Sequence, residues 1–177
     1  GLVWGAFNAG IAVVFGFGTA LLSEAGLAPD AAARRVSLVL WSLAIVTPAG
    51  GWLADRLRHP EVMIGSGLAA LAVFTFAAAF LQGPWPLLVL IGAAAGLVAG
   101  PVMSLPARAL APEARAVGMG IFFTVYYVAF LTVPPIAGWA ADQQESLLAA
   151  FVIGCSMYLV AILGLIDFAA STGRIRE

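Results

Sequence analysis

The chain has 177 residues, 63% of them hydrophobic and 10% charged, with a net charge of −1, and its mean hydropathy of +1.05 is too high for a domain whose surface must be wetted. Most of its surface therefore has to face lipid. All eight basic residues other than His59 are arginines spread along the chain, which excludes the concentrated positive field that nucleic acid requires, and the single Cys155 leaves neither an internal disulfide nor a cysteine metal site available.

A helix crosses a hydrocarbon core of about 30 Å with about 20 apolar residues, because it rises about 1.5 Å per residue. The first such run, Leu2 to Leu22, follows Gly1 directly. It has no initiator Met, no charged leader and no small-residue cleavage pattern ahead of a polar mature domain, so it reads as a spanning helix in a chain expected to be a fragment. Further runs follow at Val36 to Ala54, Val62 to Leu81, Leu87 to Ala107, Val117 to Ala140 and Leu147 to Ala170. Polar and turn-forming residues separate them, at Ser23 to Arg35, Asp55 to Glu61, Gln82 to Pro86, Arg108 to Arg115 and Ala141 to Ser146, and these are the expected loops. Barrel strands would alternate apolar with polar residues, and none of these runs does. The expectation is an all-α polytopic bundle over residues 1–170, with 171–177 as a tail.

Six spans return both ends of the chain to one side. Arg56, Arg58, Arg108, Arg115, Arg174 and Arg176 fall on that side against Arg34 and Arg35 opposite, which predicts it to be cytoplasmic. A repeat is also visible. Pro48-Ala-Gly-Gly-Trp-Leu-Ala-Asp55 returns as Pro135-Ile-Ala-Gly-Trp-Ala-Ala-Asp142, and Leu27-Ala-Pro-Asp30 as Leu110-Ala-Pro-Glu113. The repeating unit is three helices, an odd number, so successive units enter the membrane from opposite faces, an inverted topology typical of secondary transporters.

Gly51-Trp-Leu-Ala-Asp55-Arg56-Leu-Arg58 resembles the loop signature of the major facilitator superfamily: glycine, three residues, aspartate, then a basic residue. Arg58 stands where that signature has its second glycine, a departure commoner in the C-terminal halves of such proteins. The fourth helix carries Gly92, Gly96, Gly100 and Pro101 without the arginine usual in N-terminal halves. The resemblance therefore implies the C-terminal half of a twelve-helix transporter whose N-terminal six-helix half is the missing partner. Met103-Ser-Leu-Pro-Ala-Arg108, Pro112-Glu-Ala-Arg-Ala-Val-Gly-Met-Gly120 and Gly1-Leu-Val-Trp-Gly-Ala-Phe-Asn8 look like the branch containing cyanate and nitroimidazole permeases. That likeness implies a small organic or anionic solute and, with a lysine-free composition rich in Ala, Gly and Arg, a bacterial inner membrane.

The resemblance further implies that the first, second, fourth and fifth helices of the half line a cavity. Trp4, Asn8, Ile11 and Phe15 recur at helical spacing on the first, and Asn8 is the leading candidate for a solute contact; hydrogen bonding to a neighbouring helix explains it equally well. The fifth helix offers Thr124, Tyr126, Tyr127 and Thr132, with Phe123 and Phe130 between them. Tyr126 and Tyr127 point about 100° apart, which leaves open which one faces the cavity. Pro134 and Pro135 must interrupt regular backbone hydrogen bonding, as a kink or a gating break. Gly51, Asp55 and Arg56 are expected at a conformational gate with Arg108 and Arg115, although positive-inside anchoring also accounts for those two arginines. No ionisable residue falls mid-span, so a proton-carrying carboxylate, if used, is expected in the other half.

An intramembrane protease built on Ser66 fails on geometry, because His59 lies only about two turns away at the entrance of the same helix. Carboxylates do not cluster for a metal hydrolase, so no enzyme activity, cofactor or metal is expected. A non-transporting sensor or assembly subunit is the rival reading. It leaves unexplained the polar groups Asn8, Ser42, Thr124 and a tyrosine on helices that lipid alone would not reward.

Overall fold

The computed structural model describes residues 1–57, 60–106 and 110–174. Its helices are α1 (Leu2–Glu24), α2 (Pro29–Leu57), α3 (Pro60–Phe80), α4 (Trp85–Val102), α5 (Arg115–Gln144) and α6 (Leu147–Arg174), with a 3₁₀ turn at Pro112–Ala114 before α5. Each of the six is long and apolar enough to cross a membrane. The terminal side below means the side on which α1 begins, and the far side is the other.

Three helices, α2, α5 and α6, clearly outrun the apolar stretches that announce them. α2 starts at Pro29 rather than Val36, so part of the expected first loop is helical. Proline suits the first helical position, where its missing N–H would have no partner, and Asp30 in that turn meets the positive end of the helix dipole. Asp30 also accepts a hydrogen bond from Arg34 at 2.7 Å, an exposed pair contributing roughly 0.5 kcal/mol at most. α5 runs unbroken through Pro134 and Pro135. The two prolines remove donors only from the carbonyls of Phe130 and Leu131, and the helix continues on both sides of them. α6 extends through Arg174, taking in the first residues of the expected tail.

All three far-side connections are short and close the same way. Gly26 (φ +91°), Gln82 (φ 58°) and Glu145 (φ 49°) adopt the left-handed conformation. The N–H of the next residue then reaches back to a last-turn carbonyl: Leu27 to Leu22 at 3.1 Å, Gly83 to Ala78 at 2.7 Å and Ser146 to Ala141 at 3.1 Å. This arrangement satisfies carbonyls that a helix end otherwise leaves free. Trp85 and Trp139 stand exposed near the far-side ends and Trp52 near the terminal side, where amphipathic rings sit at the two membrane interfaces.

The packing is that of an inverted repeat. α2 lies along α4 as α5 lies along α1, α1 packs on α6 as α4 packs on α3, and α3 meets α6 on the axis relating the halves. α1 and α4 are the most enclosed helices, and α2 and α5 the least. The α1–α3–α4–α6 core is built from Leu22, Ile64, Leu68, Leu71, Ile91, Val98 and Phe151. Tyr158 of α6 also lies in it, its ring laid on Gly10 of α1 so closely that a Cβ there would be 2.5 Å from Cε1. Two buried hydroxyls in this core, Tyr158 and Thr75 of α3, make no well-formed hydrogen bond.

Candidate functional site

α1 is covered on all sides but one. Trp4, Asn8, Ala12, Phe15 and Thr19 form its incompletely buried stripe, while Ile11, expected on that face, is 6% exposed and belongs to the core. The stripe is centred farther round the helix than Trp4 and Phe15 alone suggest, so Ile11 falls past its edge and Ala12 takes the open position. α5 packs along one flank of α1, and α2 also touches it, Val36 lying against Gly18.

Aromatic rings gather where this stripe meets α5. The Trp4 ring lies 6.2 Å from that of Tyr126 and 5.5 Å from Phe7. Tyr126 in turn stacks on Phe130 at 5.7 Å and meets Phe123 at 6.5 Å and Tyr127 at 4.7 Å. Gly5 makes this possible, since a Cβ on it would lie 3.2 Å from the Tyr126 Cα. Of the two tyrosines left open by the sequence, Tyr126 is the one turned to α1, and Tyr127 is 55% exposed on the flank of α5. Thr124 shares that flank, two residues and about 200° from Tyr126, and its hydroxyl donates to the Gly120 carbonyl at 2.9 Å. It is not brought to the cluster. Phe15 stands on the same α1 stripe about three turns beyond Trp4.

Asn8 borders the cluster. Its Nδ2 donates to the Trp4 carbonyl at 2.8 Å, one turn back on its own helix rather than to a neighbouring one. The amide therefore keeps a second N–H and its oxygen for another partner. Ser42 is placed differently from expectation: it lies in the α2–α4 contact facing Gly92 and donates to the Leu38 carbonyl at 2.6 Å. Phe130 and Phe123 were legible only as residues interleaved with the polar ones; the signal that unites them is the i, i+3, i+4 relation of 123, 126, 127 and 130. Beneath Trp4, toward the terminal side, a pocket of about 230 Å³ is lined by apolar residues including Val102, Leu105, Leu110 and Phe122.

The gate residues form a second region. Gly51 and Asp55 border a cavity of about 460 Å³ with Gly100, Pro101, Ser104 and Pro60 at the terminal side of α2 and α4. Arg56 turns elsewhere, its guanidinium 5.3 Å from the centre of the exposed Trp52 ring. Arg108 lies outside the described residues, as do Arg58 and His59.

Six apolar helices in an inverted three-helix repeat fit the family whose profile matches this chain, the Major Facilitator Superfamily, over residues 2–172. The chain belongs to that superfamily. Its six helices correspond to half of the superfamily's fold, and it is a multi-pass membrane protein. Among curated proteins it is similar to monocarboxylate transporter 12 of Rattus norvegicus, 26% identical over 133 residues, which cover 72% of this chain and 27% of that protein. The chain thus spans about a quarter of the relative it matches. Membrane transport, rather than chemistry on a bound substrate, is the function to which superfamily membership points.

Proposed function

We propose that this chain is the C-terminal half of a secondary transporter that moves a small organic or anionic solute by alternating access, rocking against an N-terminal six-helix half around a site shared between them. The observation that carries this reading is the α1 stripe. A helix enclosed on every other side leaves open one face bearing Asn8, Trp4 and Phe15, and an amide directed at hydrocarbon would cost stability without return. The inverted repeat supplies the two-sidedness that alternating access needs. The name of the rat relative favours an anionic solute, and the likeness to cyanate and nitroimidazole permeases a small organic or anionic one. The arginines on the terminal side favour cytoplasmic ends, and the composition favours a bacterial inner membrane. No covalent step on the solute is involved.

In this reading Asn8 contacts solute, whereas Gly51 and Asp55 govern the change of state. Uptake by the full-length protein in proteoliposomes, measured with a panel of labelled small anions, tests it. Asn8→Ala is expected to raise the half-saturating concentration about tenfold, the loss of one buried hydrogen bond of roughly 1.4 kcal/mol. Unchanged uptake by that variant removes the stripe from the solute path.

A further inference from the structure

Resting on that reading, we infer that this half of the site receives the apolar, ring-sized body of an organic solute rather than an inorganic anion or a charged head group. Three observations lead there. Trp4, Tyr126, Phe130 and Phe123 form a continuous set of ring contacts with centroid separations of 5.7–6.5 Å, placed where the uncovered stripe of α1 meets α5. The ionisable residues of the described chain stand at or near helix ends, from Glu24, Asp30, Arg34 and Arg35 to Asp142, Glu145 and Asp167. And the threonine hydroxyls of α5 lie round the helix from Tyr126 and donate to their own helix, Thr124 to Gly120 at 2.9 Å and Thr132 to Val128 at 2.7 Å, so neither offers this surface a donor.

A bare anion fits none of this. Ring faces carry the negative side of the aromatic quadrupole, and an anion buried without a cation or a full set of donors is strongly disfavoured. An apolar body gains from the same surface, through burial against the rings and through offset or edge-on stacking with them. The donors left over, the second Asn8 N–H, the Trp4 indole N–H and the tyrosine hydroxyls, suit a neutral oxygen on that body. The charge of a charged solute is then met from across the cavity.

The test uses the full-length protein in proteoliposomes with four labelled probes: benzoate and benzylamine, which share a ring and differ in charge, acetate, and cyanate. One of the ring-bearing probes is expected to be taken up with a half-saturating concentration about tenfold below that of acetate, the discrimination a well-packed apolar pocket provides, and cyanate is expected to compete poorly. Phe130→Leu keeps apolar volume and removes the ring, and should bring that ratio close to one. Tyr126→Phe keeps the ring and should preserve it. Trp85→Leu, on an exposed residue at the far side of α4, should change neither. Acetate or cyanate carried as well as both ring-bearing probes, or a ratio that Phe130→Leu leaves intact, overturns the inference while transport itself stands. No flux of any of the four overturns the transport reading on which it rests.

Discussion

The two helix pairs related by the pseudo-two-fold axis of this bundle are packed by different means. Aligning α1 on α4 from their first residues, Leu2 and Trp85, and α2 on α5 through Pro48 and Pro135, sets Ala9, Val13 and Phe17 in the places of Gly92, Gly96 and Gly100, and Gly138 in that of Gly51. Along α2–α4 the backbones touch. A Cβ on Gly96 would lie 2.9 Å from the Leu43 carbonyl, one on Gly100 2.8 Å from the Gly51 nitrogen, and one on Gly50 2.7 Å from the Gly96 carbonyl. Along α1–α5 the backbones approach closely only near the terminal side, at Gly1 and Gly5, and farther along side chains fill the seam: a Cβ on Gly138 would lie 3.4 Å from the Phe17 ring, and the Trp4 and Tyr126 rings lie 6.2 Å apart. Backbone contact along the α2–α4 seam leaves few side chains between the helices, Ser42 and Val46 among them, so it is the stiffer of the two seams. The α1–α5 seam is made of groups that can present themselves to a ligand, and there the candidate site lies. On the proposed reading, the two halves of the repeat divide rigidity and recognition between them.

The largest expected effect breaks the rigid seam. A Cβ on Gly92 would be driven into the Val39 carbonyl and the Ser42 hydroxyl, and backbone cannot step aside as a side chain can. Gly92→Ala is expected to destabilise the protein by about 3 kcal/mol, the upper end of overpacking. Gly138→Ala, with only a ring edge at van der Waals distance, should be neutral or better, because alanine favours a helix over glycine by about 1 kcal/mol. Thermal unfolding of the two variants in one detergent compares them directly, and equal melting temperatures would mean the seams do not differ.

That division was only half readable in advance. The six spans and the repeat followed from hydropathy and two short matches, because a membrane lets only helices or closed barrels cross, and periodic apolar runs announce helices plainly. The Gly92, Gly96, Gly100 series was visible as a close-packing face, but its partner was not, since nothing in the sequence says that α2 rather than α1 lies against α4. Ser42 was read only as a polar group that lipid would not reward, and the contact with Gly92 draws it into the seam. Ile11 was assigned to the open stripe because spacing fixes which residues share a face, not how wide an opening the neighbours leave. The α2 start was missed through reliance on apolar residues; Pro29 and Asp30 carried an N-terminal signal that hydropathy does not register. Asn8 and Tyr126 stood out in the sequence as polar groups in apolar helices, whereas Phe130 gains its place only from the ring beside it.

A smaller effect sharpens the comparison at the gate. A Cβ on Gly51 would point into open space, so Gly51→Leu should leave the melting temperature within about 2 °C of wild type while entering the cavity that Gly51 shares with Asp55 and Ser104. If that cavity closes or fills during the cycle, the leucine resists it. Turnover should then fall about tenfold, equivalent to roughly 1.4 kcal/mol on the barrier, with solute affinity unchanged in a direct binding assay. Asp55→Ala should act in the same direction and less strongly. Loss of binding together with turnover would place these residues in the site instead of beside it.

The smallest effect concerns what the two ends of the repeat do not share. Trp52 and Trp139 are mirror positions, both exposed, yet Trp52 has Arg56 one turn on, its guanidinium 5.3 Å from the ring centre, while Trp139 has Gln143. An exposed contact of this kind contributes about 0.5–1 kcal/mol, too little to hold a helix but enough to bias one exposed side chain. Arg56→Gln makes the end of α2 read like that of α5, and should lower stability by no more than that amount. Its effect on turnover decides what the arginine is for. A slowed cycle at unchanged stability would show that the terminal-side gate needs the cation; a cycle as fast as wild type would reduce Arg56 to an anchor and leave Gly51 and Asp55 as the functional part of the signature.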